Sequence, residues 1–190
     1  MRSAVVVVPV KAFGAAKLRL AGVLAPAERV AFARAMAAHV VAAAAPLAVA
    51  VVCDDEDVAD FATAHGAEVL WTPGLGLNGA VTEGVTRLAA AGVDEVVVAH
   101  ADLPFATGLA ALAGPGGTAT LVADRHGDGT NVIAVPAAAG FAFAYGPRSF
   151  DRHRAEAARL GLAERLVHDP CLAWDVDVPA DLYPPTELGP

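Results

Sequence analysis

Nowhere in this sequence is there a basic tract, a long clean apolar run or a pair of cysteines at metal-ligand spacing. The 190 residues carry 13 basic against 21 acidic side chains, a formal net charge of -8, and only 6% aromatics. That balance repels polyanions and argues against nucleic acid as a partner, leaving a small anionic ligand open. The first apolar run is cut by Pro9 and Lys11 before it reaches signal-peptide form, and the longest candidate span, residues 35–52, contains His39 and Pro46. Both fall short of the ~18 clean apolar residues that a membrane crossing requires, so no membrane association is expected. Cys53 and Cys171 stand far apart, which points to a reduced, cytoplasmic protein with two apolar thiols rather than a disulfide scaffold.

Without linkers or repeats, the chain reads as one domain over residues 1–182, with a proline-rich tail at 183–190 expected to fray. A chain of this length buries roughly 70% of the surface its unfolded form exposes and needs no covalent staple. Oligomeric state is open, a homodimer among the options.

Lysine is scarce too, and its placement is informative. The two lysines, Lys11 and Lys17, share one loop after the first apolar run, whereas the other eleven basic residues are arginines spread along the chain. A small-residue loop bearing two ammonium groups behind a strand reads as an anion cradle.

β-Branched runs at residues 4–8, 48–53, 68–71, 95–99, 118–123 and 131–135, with a further one around 171–174, alternate with alanine-rich helical segments. Continuous apolar strands imply burial on both faces, hence an α/β fold with a mostly parallel sheet between two helical layers. Helices are expected from Pro26 to about Ala45, over residues 55–64 and over residues 77–91. Pro26 suits a first helical position, and the acids from Asp54 to Asp57 suit the positive end of a helix. The turn-rich stretch 124–130 (DRHGDGT) joins two strands as a hairpin or an irregular antiparallel excursion at a sheet edge.

Ligands in open α/β sheets bind beyond the carboxyl ends of strands, so the segments there carry the chemistry. Asp102, in HADLP, is suited to a magnesium site, or alternatively to capping its turn. Asp175 and Asp177 alternate in WDVDVP, and two carboxylates on one face repel unless a cation lies between them; the other reading is a pair of solvated acids. Asn78, in GLGLNG, caps the next helix or reads a base edge with its planar amide. His100 and His126 lack a second histidine at ligand spacing, so zinc is not indicated, and His126 reads as a turn residue. The run YGPRSFDRHR sets Gly146, Ser149 and arginines at a helix start, which is either an anion seat or a set of solvent-facing charges.

Together, VPVKAFGAAKLRL, APAER, GLNGAV, ADLP, DRHGDGTN, FAYGPRSFDRH and DVDVPADL resemble the 2-phospho-L-lactate / phosphoenolpyruvate guanylyltransferase family of coenzyme F420 biosynthesis, in order and across nearly the whole chain. The resemblance implies a Rossmann-like nucleotidyltransferase fold that takes GTP and a small phosphorylated carboxylic acid. It implies that Val10, Lys11 and Lys17 hold the triphosphate and that Leu77, Asn78 and Gly79 lie near guanine and ribose. It further implies Mg2+ on Asp102, Asp175 and Asp177, with Lys17 and Asp102 catalytic, and the acceptor phosphate on Thr130, Gly146 and Ser149. Some relatives have an acid where this chain has His100. The alanine-, valine- and arginine-rich composition looks like that of a GC-rich bacterial genome, which favours phosphoenolpyruvate as the acceptor.

The chemistry agrees with the residue inventory. A phosphate acceptor with a second pKa near ~6 is already ionised at neutral pH and needs no general base, so the absence of a Ser/His/Asp or Cys/His constellation is expected. Two other readings stand beside this one: a nucleotidyltransferase of another pathway, resembling molybdenum cofactor guanylyltransferases or sugar-phosphate cytidylyltransferases, and a nucleotide-binding regulatory module without turnover.

Overall fold

A computed structural model of the chain describes residues 3–188. Its strands are β1 (Ala4–Pro9), β2 (Ala48–Cys53), β3 (Glu68–Trp71), β4 (Glu95–Ala99), β5 (Thr118–Ala123), β6 (Thr130–Pro136) and β7 (Ala163–Leu166). They form one sheet in the order β3-β2-β1-β4-β6-β5-β7. All neighbours are parallel except β6, which runs antiparallel to both β4 and β5. The mostly parallel sheet with an antiparallel excursion is thus present and the turn after β5 supplies the excursion, but not at the sheet edge as expected: β6 lies between β4 and β5, and β7 takes the edge.

Two helical layers cover the sheet, as strict alternation along the strands requires. Val6 and Val8 of β1, Val51 of β2 and Val97 of β4 enter the core under α1 (Pro26–Ala43) and α2 (Glu56–Ala64). Val7, Val52, Val96 and Val98 enter the opposite core with α3 (Gly76–Ala90) and α4 (Ser149–Arg159). Helix α1 starts at Pro26, with Glu28 accepting from the Ala25 N–H at 2.7 Å. Helix α2 is capped by Asp55, whose side chain accepts from Val58 N–H at 3.2 Å. Asp55 caps; Asp54 is left free for another role.

The expected strand around residues 171–174 is not a strand. Pro170–Ala173 form a short helix, α5, started by Pro170 and by Asp169, whose carboxylate accepts from the N–H groups of Cys171 and Leu172. The seventh strand is AERL, half-exposed at the sheet edge, and its two charged residues hide it from an apolar pattern. Asn78 is corrected as well: α3 begins at Gly76 with no side-chain cap.

Among the described residues no helix is long and apolar enough to cross a membrane. Of the tail expected to fray, residues 189 and 190 lie outside the described ones. Before them, Tyr183 is exposed and the Leu188 N–H closes a turn on the Pro185 carbonyl at 3.0 Å.

Candidate active site

The carboxyl ends of β1, β2, β3 and β4 open onto a cavity of about 580 Å³. Val10, Lys11 and Lys17 from the loop after β1, Asp54 after β2, Thr72 after β3, Leu77 at the start of α3, and His100 and Asp102 after β4 all line it. Five of the residues expected at a nucleotide or metal site therefore converge. Asn78 and Gly79 follow in the first turn of α3 and are not among the walls. The Asn78 amide is instead bonded across to another loop, its Oδ1 accepting from Tyr145 N–H at 2.7 Å and its Nδ2 donating to the Tyr145 carbonyl at 3.4 Å.

The two lysines have separate tasks. Lys11 is exposed at the cavity, while Lys17 reaches inward with its side chain only 10% exposed. Its Nζ donates to Asp102 Oδ2 at 2.5 Å and to Asp177 Oδ1 at 3.3 Å. Lys17 also holds a left-handed backbone, φ 53°, one of two non-glycine residues to do so among those described. A non-glycine residue bears a steric cost in that conformation. Burial works against its ammonium, but Asp102 and then Asp177 outweigh that and raise its pKa. Burial likewise works against the Asp102 carboxylate, and Lys17, then His100, pull its pKa below the ordinary value. At neutral pH both are charged.

Asp175 joins the cluster. Val176 N–H bonds to the Asp102 carbonyl at 3.2 Å, which anchors the acidic segment to the end of β4. Arg125 steadies it from the other side, donating to the Asp175 carbonyl at 2.9 Å, pairing with Asp181 and lying over the Trp174 ring at 4.4 Å. Burial and then the charges of Asp102 and Asp177 push the Asp175 carboxyl up. The acids expected to meet do meet, and the cation now between Asp102 and Asp177 is an ammonium. Among the described residues no group of three or more His, Cys, Asp or Glu side chains forms a ready-made metal cage. Two buried oxygens, Asp102 Oδ1 and Asp175 Oδ1, nevertheless have no hydrogen-bond partner. Such carboxylate oxygens, with Asp175 Oδ1 only 3.5 Å from Arg125 Nη1, fit a hard divalent cation.

Thr130, Gly146 and Ser149 come together at a second seat that does not line the cavity. Thr130 N–H donates to Ser149 Oγ at 3.0 Å, and Ser149 N–H donates to the Gly146 carbonyl at 3.0 Å. Gly146 has φ 114°, which only glycine tolerates well, and the space its Cβ would take lies 3.4 Å from Arg152 Nη2. The guanidinium of Arg152 thus stands over the seat, whereas Arg154 and Arg159 pair with Glu164 and Glu156 on the surface. Asp124 shapes the turn before Thr130 by accepting from the N–H groups of His126, Asp128 and Gly129, which makes His126 the turn residue expected.

An aromatic wall links seat and cavity. His100 packs on Tyr145 with centroids 4.9 Å apart, and Tyr145 packs edge-on against His153, also at 4.9 Å. His100 Nε2 and Tyr145 Oη are buried without a partner, like the two carboxylate oxygens. The sequence does not single out Asp54 and Thr72 as site residues, whereas Tyr145, Arg152 and His153 lie in the YGPRSFDRHR run without individual roles. Asp54 and Thr72 both carry a signal, a position directly after an expected strand.

Lysine and acids are thus gathered at the carboxyl edge of a mostly parallel sheet, an arrangement suited to an anionic ligand. The chain belongs to the family described as Guanylyl transferase CofC like, whose model it matches over residues 4–184. It is 38% identical over 188 residues to a phosphoenolpyruvate guanylyltransferase of Sphaerobacter thermophilus, covering 94% of this chain and 90% of that one. A protein of the same name from Thermomonospora curvata is 40% identical over 193 residues, 96% of this chain and 83% of that one. The fold is shared with a candidate nucleotide-diphospho-sugar transferase from Desulfovibrio desulfuricans G20, at TM-score 0.76 and 18% identity over 96% of this chain and 85% of that one.

Proposed function

We propose that this protein transfers GMP from GTP to phosphoenolpyruvate with release of pyrophosphate, as a step of coenzyme F420 biosynthesis. One observation carries the reading. Of the six buried side-chain polar atoms without a hydrogen-bond partner among the described residues, two are on Asp102 and His100, which line the cavity, one is on Asp175, whose neighbour Val176 is bonded to the Asp102 carbonyl, and one is on Tyr145, whose ring packs against His100 and His153. Unpaired buried polar atoms cost free energy, and a divalent cation accompanying the nucleotide phosphates would satisfy the two carboxylate oxygens.

The cavity takes the nucleotide. Val10 and Lys11 border its phosphates and Leu77 its base and ribose, with Asn78 and Gly79 in the adjoining turn. The seat takes the acceptor: the Thr130 and Ser149 hydroxyls, the open backbone at Gly146 and the Arg152 charge receive its phosphate. An acceptor phosphate oxygen attacks the α-phosphorus, the bond from that phosphorus to the bridging oxygen breaks, and pyrophosphate leaves. Repulsion between two anions is the main obstacle, and Lys17 answers it from a water-poor position. Asp102, Asp175 and Asp177 would hold Mg2+, which when bound neutralises charge on the phosphates and the departing pyrophosphate. No general base is required.

Incubation with GTP and Mg2+ plus phosphoenolpyruvate, 2-phospholactate or 3-phosphoglycerate, with mass detection of product, tests the proposal. A guanylated phosphoenolpyruvate is the expected product. Turnover confined to CTP, or to a sugar phosphate, overturns it.

A further inference from the structure

His153 lies in α4 with no exposed surface, and each of its ring nitrogens has one polar neighbour. Nε2 is 2.9 Å from the Ala144 backbone nitrogen, and Nδ1 is 3.0 Å from Thr130 Oγ1. A backbone N–H can only donate, so Nε2 must accept. In a neutral ring the proton then sits on Nδ1, and Nδ1–H donates to the Thr130 hydroxyl oxygen. Burial, with the nearby Arg152 charge and then His100, lowers the ring's pKa to about 4, so the ring is neutral at neutral pH. Ser149 Oγ is occupied in the same sense, accepting from Thr130 N–H. Both hydroxyl oxygens have thus accepted a bond from behind, and both keep their hydrogen to give.

We infer that His153 is a positioning residue for the acceptor: its backbone-fixed tautomer turns the Thr130 hydroxyl into a donor towards an incoming phosphate. This rests on the reading that Thr130 and Ser149 receive that phosphate. The opposite tautomer would present a bare Nδ1, draw the Thr130 hydrogen inward and leave oxygen lone pairs facing an anion. Ala144 N–H, in the loop that also carries Tyr145 and Gly146, therefore sets the polarity of the seat two bonds away. A ring that merely filled space would need no particular tautomer.

The test is steady-state kinetics of the full chain with GTP and phosphoenolpyruvate. His153→Phe keeps the ring and removes both nitrogens; it should raise KM for phosphoenolpyruvate about tenfold or more while leaving KM for GTP near wild type. His153→Asn, which retains a donor at the Nδ1 position, should recover part of that loss, and His153→Gln should not. Because His153 acts through Thr130, His153→Phe should add little in a Thr130→Val background. Equal changes in both KM values, or additive effects in the double variant, overturn the inference. If Thr130→Val itself leaves KM for phosphoenolpyruvate unchanged, the seat has been misread and the inference falls with it. If Thr130→Val is impaired and a folded His153→Phe is not, only the inference falls. Should His153→Phe fail to fold, the ring 15N and 1H spectrum of the wild-type protein decides: a proton on Nδ1 supports the inference, and a proton on Nε2 refutes it.

Discussion

Lys17 shows how one side chain can both assemble a site and conflict with it. Its ammonium screens Asp102 from Asp177, which allows three acids to share a partly buried corner, while a left-handed backbone holds it there. Asp102→Asn leaves the shape and removes the charge, so it should cost at least about 3 kcal/mol in the transition state, a loss of a hundredfold or more in pyrophosphate release. GTP affinity in Mg2+ should fall and lose its dependence on the metal, as read by titration calorimetry. Near-normal turnover in that variant would remove Asp102 from the chemistry. The acids were legible in the sequence because each follows a strand or a turn signal. The ammonium bridge was not, since Lys17 and Asp102 are 85 positions apart and no local pattern encodes their approach.

At the scale of elements, the site depends on how closely α3 lies on the sheet. Gly84 faces β2, and a Cβ there would stand 2.5 Å from Val52 Cγ1. Gly84→Ala must therefore lift the helix whose first turn borders the cavity, at about 1–3 kcal/mol. A lowered melting temperature is expected, together with a raised KM for GTP. Val52→Ala in the same chain should restore part of both, and a Gly84→Ala protein with wild-type melting would show that α3 has slack. The sequence revealed six of the seven strands because their apolar runs are continuous, as burial on both faces demands. Strand β7 escaped because an edge strand can carry charge, and residues 170–173 misled because their apolar content belongs to a helical turn begun by Asp169 and Pro170. Asn78 was placed in the correct element, but its amide ties α3 to the Tyr145 loop rather than capping the helix.

For the molecule as a whole, buried His153 is expected to begin the loss of stability on the acid side. His153 has its pKa lowered from 6.5 to about 4, so the unfolded chain binds its proton first as pH falls. Its contribution is fully present above 6.5 and is lost progressively down to about 4, with a total on the order of 3 kcal/mol. Glu156, lowered from 4.5 to about 2 chiefly by its hydrogen bond from Arg159, adds a second loss at lower pH as its carboxylate takes a proton. Urea unfolding followed across pH 7 to 4 should show the first decline, and His153→Phe should flatten it. An equal slope in both proteins would place the acid sensitivity elsewhere. The sequence by itself determined the layered α/β class, the strand ends where chemistry gathers and the acidic and lysine-bearing segments, because periodicity and turn residues act over a few neighbours. Only the tertiary structure decided that Lys17 lies between the acids, that Arg125 anchors Asp175, and that His153 backs Thr130. Those contacts join residues 23 to 160 positions apart, and the sheet's crossovers, not local preference, bring them within hydrogen-bond reach.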